Sequence, residues 1–310
     1  MTICSRLIKY FGLLGSVFLI LLMSYGWHMS QEKEGKILFT FLAVPAEQFF
    51  SIRTVWRLYQ LQDLRKQLVQ EQCREHKKAN LKGNTLEDLS QSKLKNFIVD
   101  DKHGIIYCYI PKVACTNWKR VLYALNQGEP YPDLVSIKSS TVHKQFKFTL
   151  LNDYSRTEIK VSSAKLRHYT KFLFVRDPFV RLVSAYRDKL GIRPSFYNFI
   201  QYLLDPQTER SAPFEPHWRQ MHRLCHPCLI EYDFIGHQET LQDDAPQLLK
   251  MLKLEDSITF PSAYENVTDQ DFLLNWFRAA PLEDRRKLYE LYEEDFRLFG
   301  YRRPSELLDD

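Results

Sequence analysis

Two segments of this chain place cations and small hydrogen-bond donors directly after an apolar run. They are residues 105–120 (IIYCYIPKVACTNWKR) and residues 172–187 (FLFVRDPFVRLVSAYR). Each predicts a buried strand, a short turn rich in donors and then a helix. A helix start offers unpaired backbone N–H groups and the positive end of the helix dipole, which together bind phosphate. Two such segments in one domain indicate a ligand that carries phosphate at both ends.

The turn of the first segment contains a lysine and a hydroxyl group. Pro111 ends the strand, because proline cannot donate to the ladder, and the helix is predicted to start at Trp118. Lys112 can neutralise a bridging or leaving phosphate, and Thr116 can add a hydroxyl donor. The GxxxxGK[ST] spacing of the P-loop is missing, which argues against an ATPase or a kinase.

The second segment opens its helix with Asp177 and Pro178, and proline is favoured in the first turn. Arg176, Arg181 and Ser184 lie at helical spacings near this helix start, and an arginine fork can hold phosphate through two bonds. A carboxylate would repel phosphate. Asp177 is therefore predicted to cap the helix or to orient an arginine rather than to contact an anion.

The first thirty residues predict entry into the secretory pathway. Arg6 and Lys9 precede an uncharged apolar run of 18 residues at 10–27. As a helix this run is about 27 Å long, enough for a thin bilayer, and the cations before it stay cytoplasmic. A cleaved signal peptide is the alternative, with Ser24 and Gly26 at a small-residue cleavage site. The preferred interpretation has four parts: a cytoplasmic tail at 1–9, a transmembrane signal-anchor at 10–27, a lumenal stem at 28–93 and a folded domain at 94–310.

Composition and charge limit the classes of partner. With 45% hydrophobic residues the chain can bury a large core, and its net charge of +5 suits an acidic partner. Neither zinc-finger spacing nor a long basic block occurs in the sequence, which argues against nucleic acid. The predicted stem is charged and Gln-rich, and it has a weak helical period through Val55, Leu58, Leu61, Leu64 and Leu68. We expect it to be partly helical and to hold the domain away from the membrane.

Six cysteines occur in the chain: Cys4, Cys73, Cys108, Cys115, Cys225 and Cys228. Cys4 lies on the predicted cytoplasmic side, so five remain in an oxidising compartment, where disulfides form. An odd number leaves at least one thiol free or paired between chains. Cys225 and Cys228 form a CxxC, but zinc would need a second ligand pair of similar spacing. A structural disulfide involving one or both is the preferred interpretation. The sequon at 266–268 (NVT) predicts an N-glycan.

The two segments resemble the signatures of Golgi carbohydrate sulfotransferases, specifically the chondroitin/dermatan 4-O-sulfotransferase group of carbohydrate sulfotransferase family 2. The resemblance covers residues 94–308 and includes residues 199–206, 224–228, 232–236 and 298–301. It implies a catalytic domain that uses PAPS as sulfate donor and needs no metal. It also implies that the acceptor is the 4-hydroxyl of N-acetylgalactosamine in chondroitin, with desulfated dermatan as a further acceptor. The implied location is the Golgi membrane, as a single-pass type II protein with a lumenal catalytic domain.

The resemblance also assigns residues to the donor. It puts the 5′-phosphosulfate on the first loop, made of Pro111, Lys112, Val113, Ala114, Cys115, Thr116 and Asn117. It puts the 3′-phosphate within Arg176, Asp177, Pro178, Phe179, Val180, Arg181, Leu182, Val183 and Ser184. Within these sets, Arg176 and Ser184 are the expected 3′-phosphate ligands, and Lys112 is expected near the transferring sulfuryl group.

Sulfuryl transfer requires a base for the acceptor proton and a cation at the leaving phosphate. Lys112 is the predicted cation. His143 is the predicted base, since histidine titrates near neutral pH, and His217 is the alternative. Either histidine could instead have a purely structural role.

The chain departs from the family pattern after Leu190. It passes through residues 191–194 (GIRP) directly to Ser195, where family members carry a longer insertion rich in Tyr and Arg. A short turn can close this gap without disturbing the core. The lost surface is expected near the acceptor groove, so the alternative function is a non-catalytic lumenal relative that binds PAPS and polysaccharide. The expected fold is a single α/β domain with a mostly parallel sheet flanked by helices, and with P-loop-like units that bind PAPS at the carboxyl ends of the strands.

Overall fold

The computed structural model describes residues 46–79, 89–155, 168–191, 193–262 and 270–309. The predicted membrane anchor at 10–27 and the sequon at 266–268 lie outside the described residues. Within the described ranges, no helix is both long enough and apolar enough to cross a membrane. The chain divides into two compact units, Met1–Arg57 and Leu58–Asp310. The sheet and both predicted phosphate-binding segments belong to the second unit.

The described part of the sheet has four strands, in the order β1-β2-β3-β4. They are β1 Phe97–Asp100, β2 Ile105–Cys108, β3 Thr170–Val175 and β4 Phe234–His237. Strand β1 is antiparallel to β2, and β2, β3 and β4 are parallel to one another. The residues of β2 are buried throughout, as in a parallel strand covered on both faces. The predicted α/β domain is therefore confirmed, with a mixed sheet in which parallel pairs predominate.

Helices cover this sheet and build a second core beside it. The longer ones are α1 Ala46–Ala79, α2 Cys115–Gln127, α3 Pro178–Lys189, α4 Phe196–Leu204, α6 Leu241–Met251, α7 Gln270–Phe277 and α8 Leu282–Leu298; the short α5 is Met221–Cys225 and the short α9 is Ser305–Leu308. In the sheet core, Trp118 of α2 packs against Phe172 and Phe174 of β3, with ring centroids 5.0 Å apart in both pairs. Phe179 of α3 begins the second core by stacking on Phe277 at 4.6 Å. This packing fixes both α2 and α3 against β3.

The part of α1 from Leu58 onward belongs to the same compact unit as the sheet. The Gln62 side chain exchanges two hydrogen bonds of 3.1 Å with the backbone of Ile235 in β4. Arg65 donates to both carboxylate oxygens of the buried Asp244, at 2.9 Å each. The predicted stem is thus helical over Ala46–Ala79, and the part of this helix from Leu58 onward packs on the domain.

Two disulfides join distant parts of the unit. Cys73 of α1 is bonded to Cys228, and Cys108 of β2 is bonded to Cys225. Among the described cysteines, Cys115 is free. The prediction that the CxxC takes part in structural disulfides is confirmed. Because each of its cysteines pairs with a different partner, neither sulfur is available for a redox pair or for zinc.

The short connection after Leu190 joins α3 to α4 without breaking either helix. Gly191 has a φ of +65°, a conformation that glycine adopts at no steric cost. The hydroxyl group of Tyr186 donates to the carbonyl oxygen of Pro194 at 2.6 Å. Ser195 then caps α4 by accepting from the Asn198 N–H at 3.2 Å. The second donor segment is therefore intact despite the shortened chain.

Candidate functional site

The site forms where the three parallel strands end. Parallel strands bring their carboxyl ends to one edge of a sheet, and ligands of open α/β sheets bind there. The loop after β2 meets the segment after β3, because an Arg176 NH group donates to the Lys112 carbonyl oxygen at 3.2 Å. The segment after β3 meets the one after β4, because the Asp177 N–H donates to Glu239 Oε1 at 2.9 Å. The fold thus brings the two predicted phosphate-binding segments side by side.

The loop after β2 has an unusual backbone that leaves the start of α2 open. Lys112 and Ala114 have φ values of +71° and +47°, a region that residues with a side chain rarely adopt and that concentrates at functional sites. No side chain caps α2, and its first turn carries no acidic residue. The positive end of this helix is thus available to an anion. Val113 and Asn117 are buried, and Asn117 Oδ1 accepts from Arg120 at 3.0 Å.

The helix start of the second segment is already occupied. Asp177 caps α3, where its Oδ1 accepts from the N–H groups of Phe179 and Val180 at 2.9 Å each. The predicted capping role of Asp177 is confirmed. Burial, together with the nearby Glu239 carboxylate, raises the pKa of Asp177 to about 6. A phosphate at this segment would therefore have to be bound by side chains rather than by the start of the helix.

The side chains of the second segment fall into two groups. The buried group packs in the core and consists of Pro178, Phe179, Arg181, Leu182 and Val183. Arg176, Asp177, Val180 and Ser184 are partly exposed. Burial lowers the pKa of Arg176, while the neighbouring acidic groups, Glu239 first, oppose that shift. Among these partly exposed side chains, Arg176 and Ser184 carry groups that can donate a hydrogen bond to a phosphate.

The helical spacing of Arg181 predicts a phosphate ligand, but its side chain is buried in the structure. Its side chain is 1% exposed, and all three guanidinium nitrogens donate to backbone carbonyl oxygens. The guanidinium predicted to bind phosphate is thus occupied by backbone carbonyl oxygens in this structure.

The Lys112 ammonium lies 3.3 Å from Asp188 Oδ2, near the end of α3. Both side chains retain some exposure, so this surface pair contributes little to stability. Partial burial acts to raise the pKa of Asp188, but the Lys112 ammonium outweighs it and lowers that pKa. The Lys112 ammonium is therefore paired with the Asp188 carboxylate, and a phosphate could take the place of that carboxylate as its partner.

One histidine contacts this loop directly, and a second lies near the first. His143 lies in a single π-turn, Thr141–Gln145, and its Nε2 is 2.9 Å from the Thr116 hydroxyl at the start of α2. Burial and nearby cations, Lys119 first among them, lower the pKa of His143 to about 4. The imidazole is therefore neutral near pH 7 and able to accept a proton.

His217 lies close enough to His143 to contribute to lowering the pKa of His143. Its Nδ1 is 2.7 Å from Glu215 Oε1, while the His217 N–H donates to Glu215 Oε2 at 2.8 Å. A carboxylate on Nδ1 leaves Nε2 as the atom that can accept a proton. Burial lowers the pKa of His217, although the bond to Glu215 opposes that shift. The structure thus brings both sequence-predicted histidines to one site.

Comparison with known proteins is consistent with this geometry. Residues 95–302 match the Sulfotransferase family. The chain belongs to that family. Carbohydrate sulfotransferase 12 of Mus musculus is 45% identical over 273 residues, which cover 74% of this chain and 65% of that protein. Carbohydrate sulfotransferase 11 of Danio rerio is 37% identical over 295 residues, which cover 85% of this chain and 81% of the relative. Carbohydrate sulfotransferase 10 of Pongo abelii is 32% identical over 286 residues, covering 79% and 77%.

The predicted membership among the carbohydrate sulfotransferases is confirmed. This sulfotransferase spans about 65% of the length of its carbohydrate sulfotransferase 12 relatives from Mus musculus and Xenopus laevis. No solved structure matches the chain. The uncapped, acid-free start of α2 beside Lys112 is able to accept an anionic group. In the described ranges, no three His, Cys, Asp or Glu side chains cluster in a way that could hold a metal ion.

Three acidic residues of the sulfotransferase site were not predicted from sequence. Asp188 pairs with Lys112, Glu215 holds His217, and Glu239 accepts from the Asp177 N–H and from the Tyr301 hydroxyl group. Glu215 had a detectable signal, because it precedes His217 by two residues with proline between them. Asp188 and Glu239 carry no such local pattern, since their partners are remote in sequence.

Proposed function

We propose that this sulfotransferase transfers the sulfuryl group of PAPS to the 4-hydroxyl of N-acetylgalactosamine in chondroitin, and in desulfated dermatan. The observation that carries the proposal is the open start of α2, with Lys112 in the loop before it, Arg176 bonded to that loop and His143 bonded to Thr116. The 5′-phosphosulfate would bind to residues 111–117, through backbone N–H groups, Lys112 and Thr116. The 3′-phosphate would bind to Arg176 and Ser184.

The reaction exchanges one bond to sulfur for another. The acceptor oxygen forms a bond to sulfur while the bond between sulfur and the 5′-phosphate oxygen breaks, releasing adenosine 3′,5′-bisphosphate. Lys112 and the α2 dipole stabilise the charge that develops on the leaving phosphate. The acceptor proton passes to His143, which is neutral because its pKa is about 4. The Thr116 hydroxyl on His143 Nε2 marks where an acceptor hydroxyl can bind. His217, oriented by Glu215, is the alternative base.

The surroundings of the site suit an acidic acceptor in an oxidising compartment. Lys119 and Lys189 lie near His143, and Lys112 pairs with the neighbouring Asp188; these cations favour an anionic polysaccharide. Two disulfides are typical of proteins of the secretory pathway. With the apolar run at 10–27, these features support a single-pass type II protein of the Golgi membrane with a lumenal catalytic domain.

The test is a transfer assay on the full chain with radiolabelled PAPS and desulfated chondroitin, dermatan and heparan as acceptors. Label at the 4-position of galactosamine is the expected product. Lys112→Ala should lower kcat by about 10²- to 10³-fold, the usual cost of losing one group that stabilises developing charge. Lys287→Ala, which removes an exposed lysine paired with Glu283, serves as the matched control and should leave kcat unchanged.

The outcomes separate the parts of the proposal. Label at another hydroxyl, or on heparan only, would replace the acceptor while keeping the reaction. Bound adenosine 3′,5′-bisphosphate without transfer to any acceptor would refute the enzyme and favour a non-catalytic relative. Wild-type turnover in Lys112→Ala would remove Lys112 from the chemistry.

A further inference from the structure

Arg181 is an unusual residue for a buried helix face, because its guanidinium is buried and donates to backbone carbonyl oxygens. Removing a guanidinium from water is costly unless its donors are satisfied. Here Nε donates to the Pro111 carbonyl at 3.1 Å, and the two terminal nitrogens donate to the carbonyls of Arg219 and Pro216 at 2.8 Å each. The planar fork therefore bonds to two separate segments of the chain at once.

The first of those segments is the loop that would bind the phosphosulfate. Pro111 immediately precedes Lys112, whose own carbonyl is held by Arg176. Lys112 and Ala114 adopt positive φ, and such backbone persists only when surrounding contacts fix it. The bond from Arg181 to Pro111 is thus one of the contacts that hold this loop in place.

The second segment carries Glu215 and His217. Its far end is anchored to α8, where Asp295 accepts from the N–H groups of Met221 and His222 at 2.6 and 2.9 Å. Its near end is tied internally, because Arg219 Nε donates to the Phe214 carbonyl at 2.6 Å. Between these two anchors, Arg181 donates to the carbonyl oxygens of Pro216, just before His217, and Arg219, two residues after it.

We propose that Arg181 is a positioning residue that sets the phosphosulfate loop against the histidine-bearing segment, and so fixes the distance between Lys112 and the two histidines. This inference rests on the proposed function. Lys112 must face the leaving phosphate and a histidine must face the acceptor hydroxyl on the opposite side of the same sulfur. An error of about 1 Å in such an arrangement can cost roughly 100-fold in rate.

The effect is expected whichever histidine accepts the proton. His143 is held by Thr116 from the same loop, and His217 is held by the segment that Arg181 binds. The ionisable groups near His217 are Glu215, Lys189, Arg181, His143 and Asp188. Of these, Glu215 accepts from the His217 N–H within the same segment, and Arg181 donates from α3 to the carbonyl oxygen of Pro216.

The experiment compares Arg181→Lys and Arg181→Met with the wild-type chain. Lysine keeps the charge but cannot reach three carbonyls as a fork does, and methionine keeps most of the volume without any donor. Both variants should lose about 100-fold in kcat, while the Kd of adenosine 3′,5′-bisphosphate and the KM of the acceptor stay close to wild type. Arg285→Met is the control for stability, since Arg285 also donates to a backbone carbonyl, that of Leu307, in the second core.

A second readout does not depend on activity. Arg181 is one of the cations that lower the pKa of His217, so Arg181→Met should raise it in a histidine NMR titration. The resonance of His103, in the turn at the other end of β2, is the internal reference. A lower kcat in Arg181→Lys with nucleotide affinity retained would support positioning through geometry rather than charge.

Three results would overturn the inference. The first is a loss of kcat no larger than that of Arg285→Met at an equal loss of thermal stability. The second is a Kd for the nucleotide that rises by the same factor as kcat falls, which would make Arg181 a donor-binding group. The third is a His217 resonance and titration unchanged in Arg181→Met. If the wild-type chain transfers no sulfate, the proposed function fails, and the titration alone then decides the role of Arg181.

Discussion

The disulfide between Cys73 and Cys228 ties α1 to the segment before β4, and replacing both residues by alanine should destabilise the fold strongly. A disulfide stabilises mainly by restricting the unfolded chain, so its contribution depends on the loop it closes. The two bridges have sequence separations of 155 and 117 residues. Because Cys108–Cys225 is nested inside Cys73–Cys228, the outer bridge adds a ring of only the difference, 38 residues.

The size of this smaller ring determines how much free energy of unfolding the double alanine variant should lose. The chain-entropy relation gives about 4 kcal/mol at 25 °C for a ring of this size, whereas the full separation would give about 5 kcal/mol. The compact unit Leu58–Asp310 has an unfolding entropy of roughly 0.5 kcal/mol per degree by the usual scaling per residue. The melting temperature should therefore fall by about 8 °C.

The measurement is urea and thermal unfolding of the full chain under non-reducing conditions. Cys115→Ser is the control, because it removes a thiol that lies outside both disulfides, and it should shift the free energy of unfolding by no more than about 0.5 kcal/mol. A loss below about 1 kcal/mol in the double alanine variant would refute the loop argument. It would mean that the contacts of Gln62 and Arg65 hold α1 in place without the bridge.

Two further predictions concern the ligand and the base. Arg176→Ala should raise the Kd of adenosine 3′,5′-bisphosphate about 10- to 100-fold, the equivalent of one charge-assisted hydrogen bond; titration calorimetry measures this, and an unchanged Kd would remove Arg176 from the donor site. His143→Ala should lower kcat about 10²- to 10⁴-fold with nucleotide binding retained, and if only His217→Ala does so, the base is His217. With a pKa of about 4 for His143, kcat/KM should stay level from about pH 8 to 5 and fall only near pH 4, because the free base is lost only there. An acidic limb near the ordinary value of 6.5 would contradict this assignment.

The strand–loop–helix segments were predictable because their determinants are local. An apolar run, Pro111 and the following amphipathic helix define the first unit within sixteen residues. The cap by Asp177 was predictable for the same reason, since a capping carboxylate reaches N–H groups two and three residues further on. The composition after Leu190 also predicted a short connection that leaves the core undisturbed, and the helices α3 and α4 on either side of it are intact.

The role of Arg181 was not predictable from its spacing. Its position one turn into α3 is equally consistent with an exposed phosphate ligand and with a buried clamp. The choice depends on the carbonyls of Pro111, Pro216 and Arg219, which lie 70, 35 and 38 residues away in sequence. The packing of α1 from Leu58 onward was also not predictable from local sequence, because its partners in β4 and α6 are more than 160 residues away.

By itself the sequence determined the family and the two strand–loop–helix segments in which phosphate-binding residues are predicted, since each of these is encoded over a short stretch of chain. The tertiary structure alone decided which of these residues are partly exposed and which are buried with backbone or side-chain partners. It left the start of α2 open, filled the start of α3 with Asp177, buried Arg181 and placed Glu215 against His217. The physical reason is that burial and hydrogen-bond partners, which decide whether a charged side chain binds or supports, arise from contacts between segments remote in sequence.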